Sequence, residues 1–454
     1  MTQARLPLWF LVFSWALVFV AFTLGVALGR RSPLPDPQAT ALQLVYQEIE
    51  RSYVDRIDGK ELLDRAIASM ARLDDYSRYV PTSEVAQFVE ETTGSYEGIG
   101  VVLHFADDGL YVRTPIEGGP GDRAGLVPGD RIVAIDGDRI DSMTKAQLAQ
   151  LPDSRLRGPS PSVVQLTVAR ANGEERTVAV QRGAVQKRSV KWTQWLDREQ
   201  GLAYSHIADF HVGASKALQD DLRALAQSSG REVAGLVIDL RFDLGGNLDE
   251  AVAVARMFVR EGNLVSMRRR DTEVLERFDA DAKLCTHATL PLVLLVNESS
   301  ASASEVVAGA LQDHQRAAIV GEATYGKGVV NTIYEWQDLP FRLKLTTARY
   351  FTPKGRNLDR GRHRNGANGA SDNNGNGDTK QAGGIQPDQH VAFAGDAEDT
   401  LRAALADFPV AERHQEAMRA FAEPRGLRMP GIVPPADDAQ LAAAIATLRE
   451  RIAK

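Results

Sequence analysis

From Leu202 onward, short apolar runs alternate with segments whose apolar residues recur at helical spacing, and few architectures accommodate that order. The runs at 202–207, 235–240 and 290–297 have strand length, while 214–226, 248–259 and about 302–312 read as helices. Strand, helix, strand, helix predicts an α/β layer fold. Of the 454 residues 44% are hydrophobic and 25% charged, which suits chains with a buried core and excludes wholesale disorder. The net charge of -7, with no long basic block, argues against a nucleic-acid partner. The single cysteine, Cys285, excludes an intrachain disulfide and a multi-cysteine metal site.

No charged residue occurs between Leu6 and Leu28. A helix of that length spans roughly 35 Å, enough to cross a bilayer core, so residues 1–36 read as a transmembrane anchor with a stiff exit at Pro33, Pro35 and Pro37. A cleaved signal peptide is the alternative. Arg5 on one side and Arg30 and Arg31 on the other give no clean orientation. Residues 37–95 read as a helical segment with a break near Asp58-Gly59, and residues 96–183 as a β-rich module of short apolar runs punctuated by glycine. Within the next segment, 184–395, residues 360–383 are so rich in Asn, Gly and Asp that they read as a disordered insertion. Residues 396–454 predict a tail of two or three helices.

In the β-rich module, Gly98-Ile99-Gly100-Val101 opens a strand, and Gly125 to Gly137 runs through a turn into a second one. Both segments resemble a PDZ domain. Glycines at 98 and 100 let backbone N–H groups meet a free carboxylate while the adjoining strand pairs with an extended peptide. Gly98, Ile99, Gly100 and Val101 are therefore the expected peptide-binding residues. Arg157-Gly158-Pro159-Ser160-Pro161 departs from the glycine- and lysine-rich turn usual in that family.

The strand ending at Val296 runs into Asn297-Glu298-Ser299-Ser300-Ala301-Ser302-Ala303-Ser304-Glu305 and an apolar helix. At such a turn the helix amides point outward, ready to stabilise an oxyanion forming beside Ser302. The same letters also spell a capping box, since Glu305 follows Ser302 by three residues. Downstream, Lys327 stands between Gly326 and Gly328, and neither His287 nor His314 shows a partner pattern with a serine, which points to a Ser/Lys dyad. An ordinary lysine is only about 0.04% neutral at pH 7, so a basic role demands a pKa lowered by about 3 pH units, achievable by burial between small glycines.

With Lys327 placed 25 residues after Ser302, these motifs resemble the carboxyl-terminal processing (tail-specific) serine peptidases. Tyr53-Val54-Asp55, residues 73–80, Asp239-Leu240-Arg241, residues 350–357 and Gly384-Ile385-Gln386-Pro387-Asp388 share the resemblance, which spans about residues 40–390. It implies Ser302 as nucleophile, Lys327 as general base, and the amides of Ala303 and Gly245 as oxyanion hole. It also implies a crotonase/ClpP-like strand-helix protease core with an inserted PDZ domain, no metal or organic cofactor, and protein substrates with free carboxyl-terminal tails. The expected location is the bacterial inner membrane, single-pass, with the catalytic part periplasmic or extracytoplasmic; self-association is left open. Two departures stand out. Asp243-Leu244-Gly245-Gly246 replaces Asn-Pro-Gly-Gly, and Asn331 stands where a glutamine commonly orients the lysine. Four residues along a strand span about 13 Å, so Asn331 meets Lys327 only on a helical turn, and its β-branched neighbours favour strand. The rival readings are a catalytically silent, membrane-anchored PDZ adaptor and an acyl-CoA enzyme of crotonase type. Asp313, acidic in some relatives, lies too far along the helix from Ser302 for contact and reads as structural.

Overall fold

A computed structural model describes residues 37–170, 173–270, 273–361, 383–429 and 437–453. The apolar stretch at 6–28 and nearly all of the polar insertion lie outside the described residues, among which no helix is long and apolar enough to cross a membrane. The chain divides into two units, 1–71 and 72–454. The first contributes helices α1 (Pro37–Ser52) and α2 (Gly59–Ala71), broken near Asp58 as expected. α1 buries none of its residues, and Leu42, Leu44 and Val45 are exposed.

The second unit begins with β1 (Arg78–Val80), α3 (Val85–Thr93) and β2 (Ser95–Gly98). An antiparallel sheet follows, made of β3 (Val101–Ala106), β4 (Gly109–Pro115), β5 (Arg131–Ile135), β6 (Asp138–Arg139), β7 (Val163–Ala169) and β8 (Glu175–Gln181). Along β7 the buried residues are Val164, Leu166 and Val168, so the period of two in the sequence becomes one packed face and one wet face. β9 (Gly183–Gln186) pairs with β2, so the chain leaves this module beside its point of entry.

The α/β layer is built on β10 (Val190–Asp197), β11 (Leu202–Ile207), β12 (Gly235–Asp239), β15 (Leu292–Val296), β16 (Ala318–Gly321) and β19 (Gln389–His390), in that spatial order. All neighbours from β11 onward are parallel. A parallel sheet is covered on both faces, and the strands read accordingly as unbroken apolar runs. Leu236, Ile238, Leu292, Leu294 and Val296 face helices α4 (Ala214–Ser229), α5 (Leu248–Arg256) and α6 (Ala303–Asp313). Val237, Val293 and Leu295 face α7 (Ala397–Ala406) and α9 (Ala439–Ala453), with α8 (Gln415–Ala422) between these two in sequence. Among the described residues the tail thus shows three α-helices, and two of them form the third layer. A separate antiparallel sheet joins β1, β13 (Asn263–Arg269), β14 (Glu273–Asp279), β17 (Val329–Trp336) and β18 (Leu339–Phe351).

Because β12, β15 and β16 are adjacent and parallel, the chain leaves all three at the same edge. The turns after them, 240–247, 297–302 and 322–328, therefore lie side by side where open parallel sheets present their sites.

Candidate active site

The turn after β15 separates its three buried serines. Ser300 Oγ donates to the Leu240 carbonyl at 2.8 Å and accepts from the Asn297 amide at 3.0 Å; Ser304 Oγ donates to the Asp243 carbonyl at 3.0 Å. Both are committed to tying turns together. Ser302, 8% exposed, opens α6 with φ 58° and ψ -113°, a conformation that side chains other than glycine rarely adopt. Such strain persists only where the surroundings enforce it and is frequent at reactive residues.

The enforcing group is Glu305, fully buried in the first turn of α6. Its Oε2 accepts from the amides of Ser302 (2.8 Å) and Lys327 (2.9 Å), and its Oε1 from the Gly326 amide (2.7 Å) and Thr324 Oγ1 (2.6 Å). The glutamate half of the predicted capping box is therefore present, and it reaches beyond its own helix. Since one oxygen binds both amides, the Ser302 and Lys327 nitrogens are no further apart than those two bonds laid end to end. Burial raises the Glu305 carboxyl, with the four hydrogen bonds opposing. Its part in joining the two motifs is legible in the sequence only as a cap.

Burial, and secondarily the charge of Lys344, lowers Lys327 to about 8, against a smaller opposing effect of Glu305. Among the described residues its amine makes no hydrogen bond; it lies 4.9 Å from the centroid of the Tyr76 ring. The Ser302–Lys327 bond is thus open in this conformation. Tyr76, from the segment 73–80, is the neighbour that sequence reasoning did not single out.

On the third turn, Gly245 has φ 99°, and a Cβ there would lie 2.8 Å from Ser302 Cβ and 2.9 Å from the Ala303 nitrogen. Only glycine fits so close to the serine turn. Ala303 occupies the first helical position of α6, whose N–H has no partner within the helix. The Gly245 amide, expected to face an oxyanion, instead donates to Asp243 Oδ1 at 2.8 Å. Asn331 also departs from the expected contact: it lies on β17, paired with β18, and its Nδ2 donates to Thr346 Oγ1 at 3.0 Å. Strand propensity prevails there, as Val329, Val330, Thr332 and Ile333 suggested. Asp313 accepts from the Lys354 amide at 2.9 Å and pairs with Arg356, a structural tie.

Behind these turns Asp239 and Arg241 are both fully buried. Arg241 binds Asp239 (2.6 Å) and Asp438 (2.7 Å), and Tyr204 Oη donates to Asp239 at 2.8 Å. Burial alone would raise the Asp239 carboxyl, but Arg241 keeps it low. A buried charge pair of this kind holds only with every partner in place, and it fixes the root of the 240–247 turn.

In the β-rich module, Tyr96, Ile99, Gly100, Val101, Leu103, Pro152, Leu156 and Arg157 line a narrow groove of about 80 Å³. Gly100 has φ 65°, and its amide donates no hydrogen bond among the described residues. Gly98 bridges to Arg157, whose guanidinium binds Glu90 of α3 at 2.5 Å. The departure at Arg157 thus puts a cation at the groove. A roomier cavity of about 590 Å³, between this module and α8, contains no residue of the three turns at the sheet edge.

Residues 201–363 match peptidase family S41, and residues 111–170 match the PDZ domain. The chain is 31% identical over 355 residues to a carboxy-terminal-processing protease of Bartonella bacilliformis, covering 76% of this chain and 79% of that one. It is 29% identical over 363 residues to the carboxy-terminal processing protease CtpA of Bacillus subtilis, covering 78% and 75%. Among solved structures, a photosystem II D1 C-terminal processing protease aligns over 87% of this chain and 100% of its own, at 26% identity and a TM-score of 0.43. The order of strand, serine turn and lysine turn, with a PDZ module ahead of it, is accordingly that of a serine peptidase: the chain belongs to the carboxyl-terminal processing proteases of family S41.

Proposed function

We propose that this chain is a membrane-anchored endopeptidase in which Ser302 is the nucleophile, Lys327 the general base, and the N–H groups of Ala303 and Gly245 the oxyanion hole. The observation that carries this reading is a lysine lowered to about 8 on a turn whose amide shares one carboxylate oxygen with the Ser302 amide. With such a pKa about one lysine in ten is neutral at pH 7, several hundred times the ordinary fraction. Ser302 Oγ attacks the scissile carbonyl and passes its proton to Lys327 Nζ; the ammonium then protonates the departing amine, and water repeats the sequence on the acyl-enzyme. The amine has to move from the Tyr76 ring to Ser302, a closure of the kind that substrate binding brings about. No metal or organic cofactor takes part.

The PDZ groove is assigned to the substrate's tail, its carboxylate on the backbone amides around Ile99 and Gly100 and its strand along Val101. The parallel sheet with helices on both faces supports a crotonase/ClpP-like description of the core. The uncharged stretch 6–28 supports a single-pass anchor in a bacterial inner membrane with the catalytic part outside the cytoplasm. The exposed apolar residues of α1 support self-association of the first unit.

The test is cleavage of paired unstructured substrates, one ending in a free carboxylate and one amidated, by wild type, Ser302→Ala and Lys327→Arg. Both variants are expected to be inactive, since arginine keeps the charge but does not deprotonate. Amidation is expected to weaken tail binding by about one to two decades, the worth of a charged hydrogen bond. Cleavage by Ser302→Ala overturns the nucleophile, wild-type rates in Lys327→Arg overturn the base, and equal rates on both substrates below saturation overturn tail selection.

A further inference from the structure

Asp243 is a buried acid that the mechanism above leaves without a task. It has no exposed surface, its Oδ1 accepts the Gly245 amide at 2.8 Å, and among the described residues its Oδ2 has no hydrogen-bond partner. Its main-chain oxygen accepts from the Ala301 amide and from Ser304 Oγ, so the residue itself is anchored to the serine turn. On the far side of Gly245 the chain is equally fixed: the Gly245 carbonyl accepts from the Phe210 amide at 3.1 Å, and the Asn247 amide donates to the Phe210 carbonyl at 2.8 Å. Between these anchors only the Leu244–Gly245 peptide is loosely held. The Leu244 side chain is 72% exposed, and Gly245, at φ 99°, has no Cβ to oppose a reversed φ.

We propose that Asp243 is a positioning residue of the oxyanion hole, a latch whose Oδ1 holds the Gly245 N–H, and that a flip of the Leu244–Gly245 peptide releases this N–H toward the oxygen of a substrate bound at Ser302. The inference rests on the assignment of Ser302 and Gly245 given above. A flip of one peptide plane, by ψ of Leu244 and φ of Gly245, reverses the N–H without moving either anchor. Burial pushes the Asp243 carboxyl well up, with the Asp209 carboxylate adding to it and the Gly245 amide opposing. A carboxyl that keeps its proton accepts the amide as a neutral group, a weaker bond than a carboxylate makes, and so one that a developing oxyanion can outcompete.

The experiment is the structure of the wild-type protein with a peptidyl boronic acid, which forms a tetrahedral adduct with an active serine. The expected result is an adduct on Ser302 with the Gly245 nitrogen turned from Asp243 Oδ1 to the boronate oxygen. An adduct on Ser302 with the Gly245 amide still on Asp243 overturns the latch alone; no adduct on Ser302 overturns the reading beneath it, and the latch with it. Labelling rates with a fluorophosphonate give a second readout. Asp243→Ala, which removes the acceptor, should be labelled several-fold faster than Asp243→Asn, which keeps it, with the pH midpoint of labelling the same in both. A folded Asp243→Ala protein labelled no faster than Asp243→Asn contradicts the latch.

Discussion

The turns after β12 and β15 are built alike, each leading from the end of a buried parallel strand into a helix, and they differ in how their polar groups are satisfied. In the serine turn, one buried carboxylate takes four hydrogen bonds and reaches the lysine turn as well. In the glycine turn, a buried carboxyl takes one amide and, among the described residues, leaves an oxygen without a partner, although Asp239, Arg241 and Asp438 hold its root firmly. A fully satisfied buried network defines a single geometry, whereas a half-satisfied one leaves room for a second. With the roles proposed above, the comparison assigns rigidity to Ser302 and adjustability to the Gly245 N–H.

The most direct way to break that contrast is Glu305→Ala. It strands the amides of Ser302, Gly326 and Lys327 and the Thr324 hydroxyl, at roughly 1 to 3 kcal/mol for each buried donor left unpaired. Thermal melting should show a loss of several kcal/mol. Ser302 then loses the bond that holds its amide at φ 58°, and cleavage should fall by about 100-fold or more, the usual consequence of misplacing a reacting group by an ångström. A Glu305→Ala protein as stable and as active as wild type would remove the fixed half of the comparison.

Lys327→Met sharpens the contrast from the other side. The lysine turn is tied at its backbone, but its amine is buried and has no acceptor among the described residues, and this costs stability: lowering a lysine from 10.5 to about 8 corresponds to roughly 3 kcal/mol at pH 7. In both states the amine is almost wholly charged below about pH 7, so the penalty is nearly constant there. Between about 8 and 10.5 the folded protein loses its proton before the unfolded chain does, so wild-type stability rises with pH across that window. Lys327→Met should be inactive, more stable than wild type at pH 7 by about 2 to 3 kcal/mol, and should lack the rise. Equal stabilities at pH 7 would mean that the amine is better solvated than its surroundings suggest.

The parts of this architecture that rest on local pattern were legible in the sequence. The apolar runs of β11, β12 and β15 and the helical spacing of α4, α5 and α6 fall within a few residues of their observed bounds, because burial on both sheet faces leaves little choice of residue. Ser302 and Lys327, which taken locally read as a helix cap and a turn lysine, were singled out by the resemblance of their motifs to a peptidase family, and the structure sets them on neighbouring turns. What escaped depends on contacts across the sheet edge. Glu305 reads locally as a cap, and nothing in the letters says that both its oxygens also find donors of another turn. The engagement of the Gly245 N–H by Asp243 was equally hidden, although the altered letters at 243 and 244 marked the turn as unusual. For Asn331 the local β propensity pointed to a strand, and the strand carried its amide to Thr346.

The smallest expected effect concerns how the amine of Lys327 is tuned, and it separates burial from charge. Lys344, on β18 opposite Arg78 of β1 and Ile333 of β17, is itself half-buried, and burial followed by the Arg78 charge lowers its own pKa, with Glu91 and Asp74 opposing. Its positive charge disfavours a second one on Lys327, whereas Glu305 favours it. Lys344→Met removes the repulsion and keeps the aliphatic stem, so Lys327 binds its proton more tightly and the midpoint of the pH–rate profile moves upward from about 8. Because burial is the larger cause, the move should be a fraction of a pH unit, seen as a lower rate at pH 7 with an unchanged plateau on the alkaline side. A loss of the plateau would mean that Lys344 supports the hairpin and not the amine; a midpoint that stays still or falls would exclude its charge as a cause of the lowered pKa and leave burial alone to set the base.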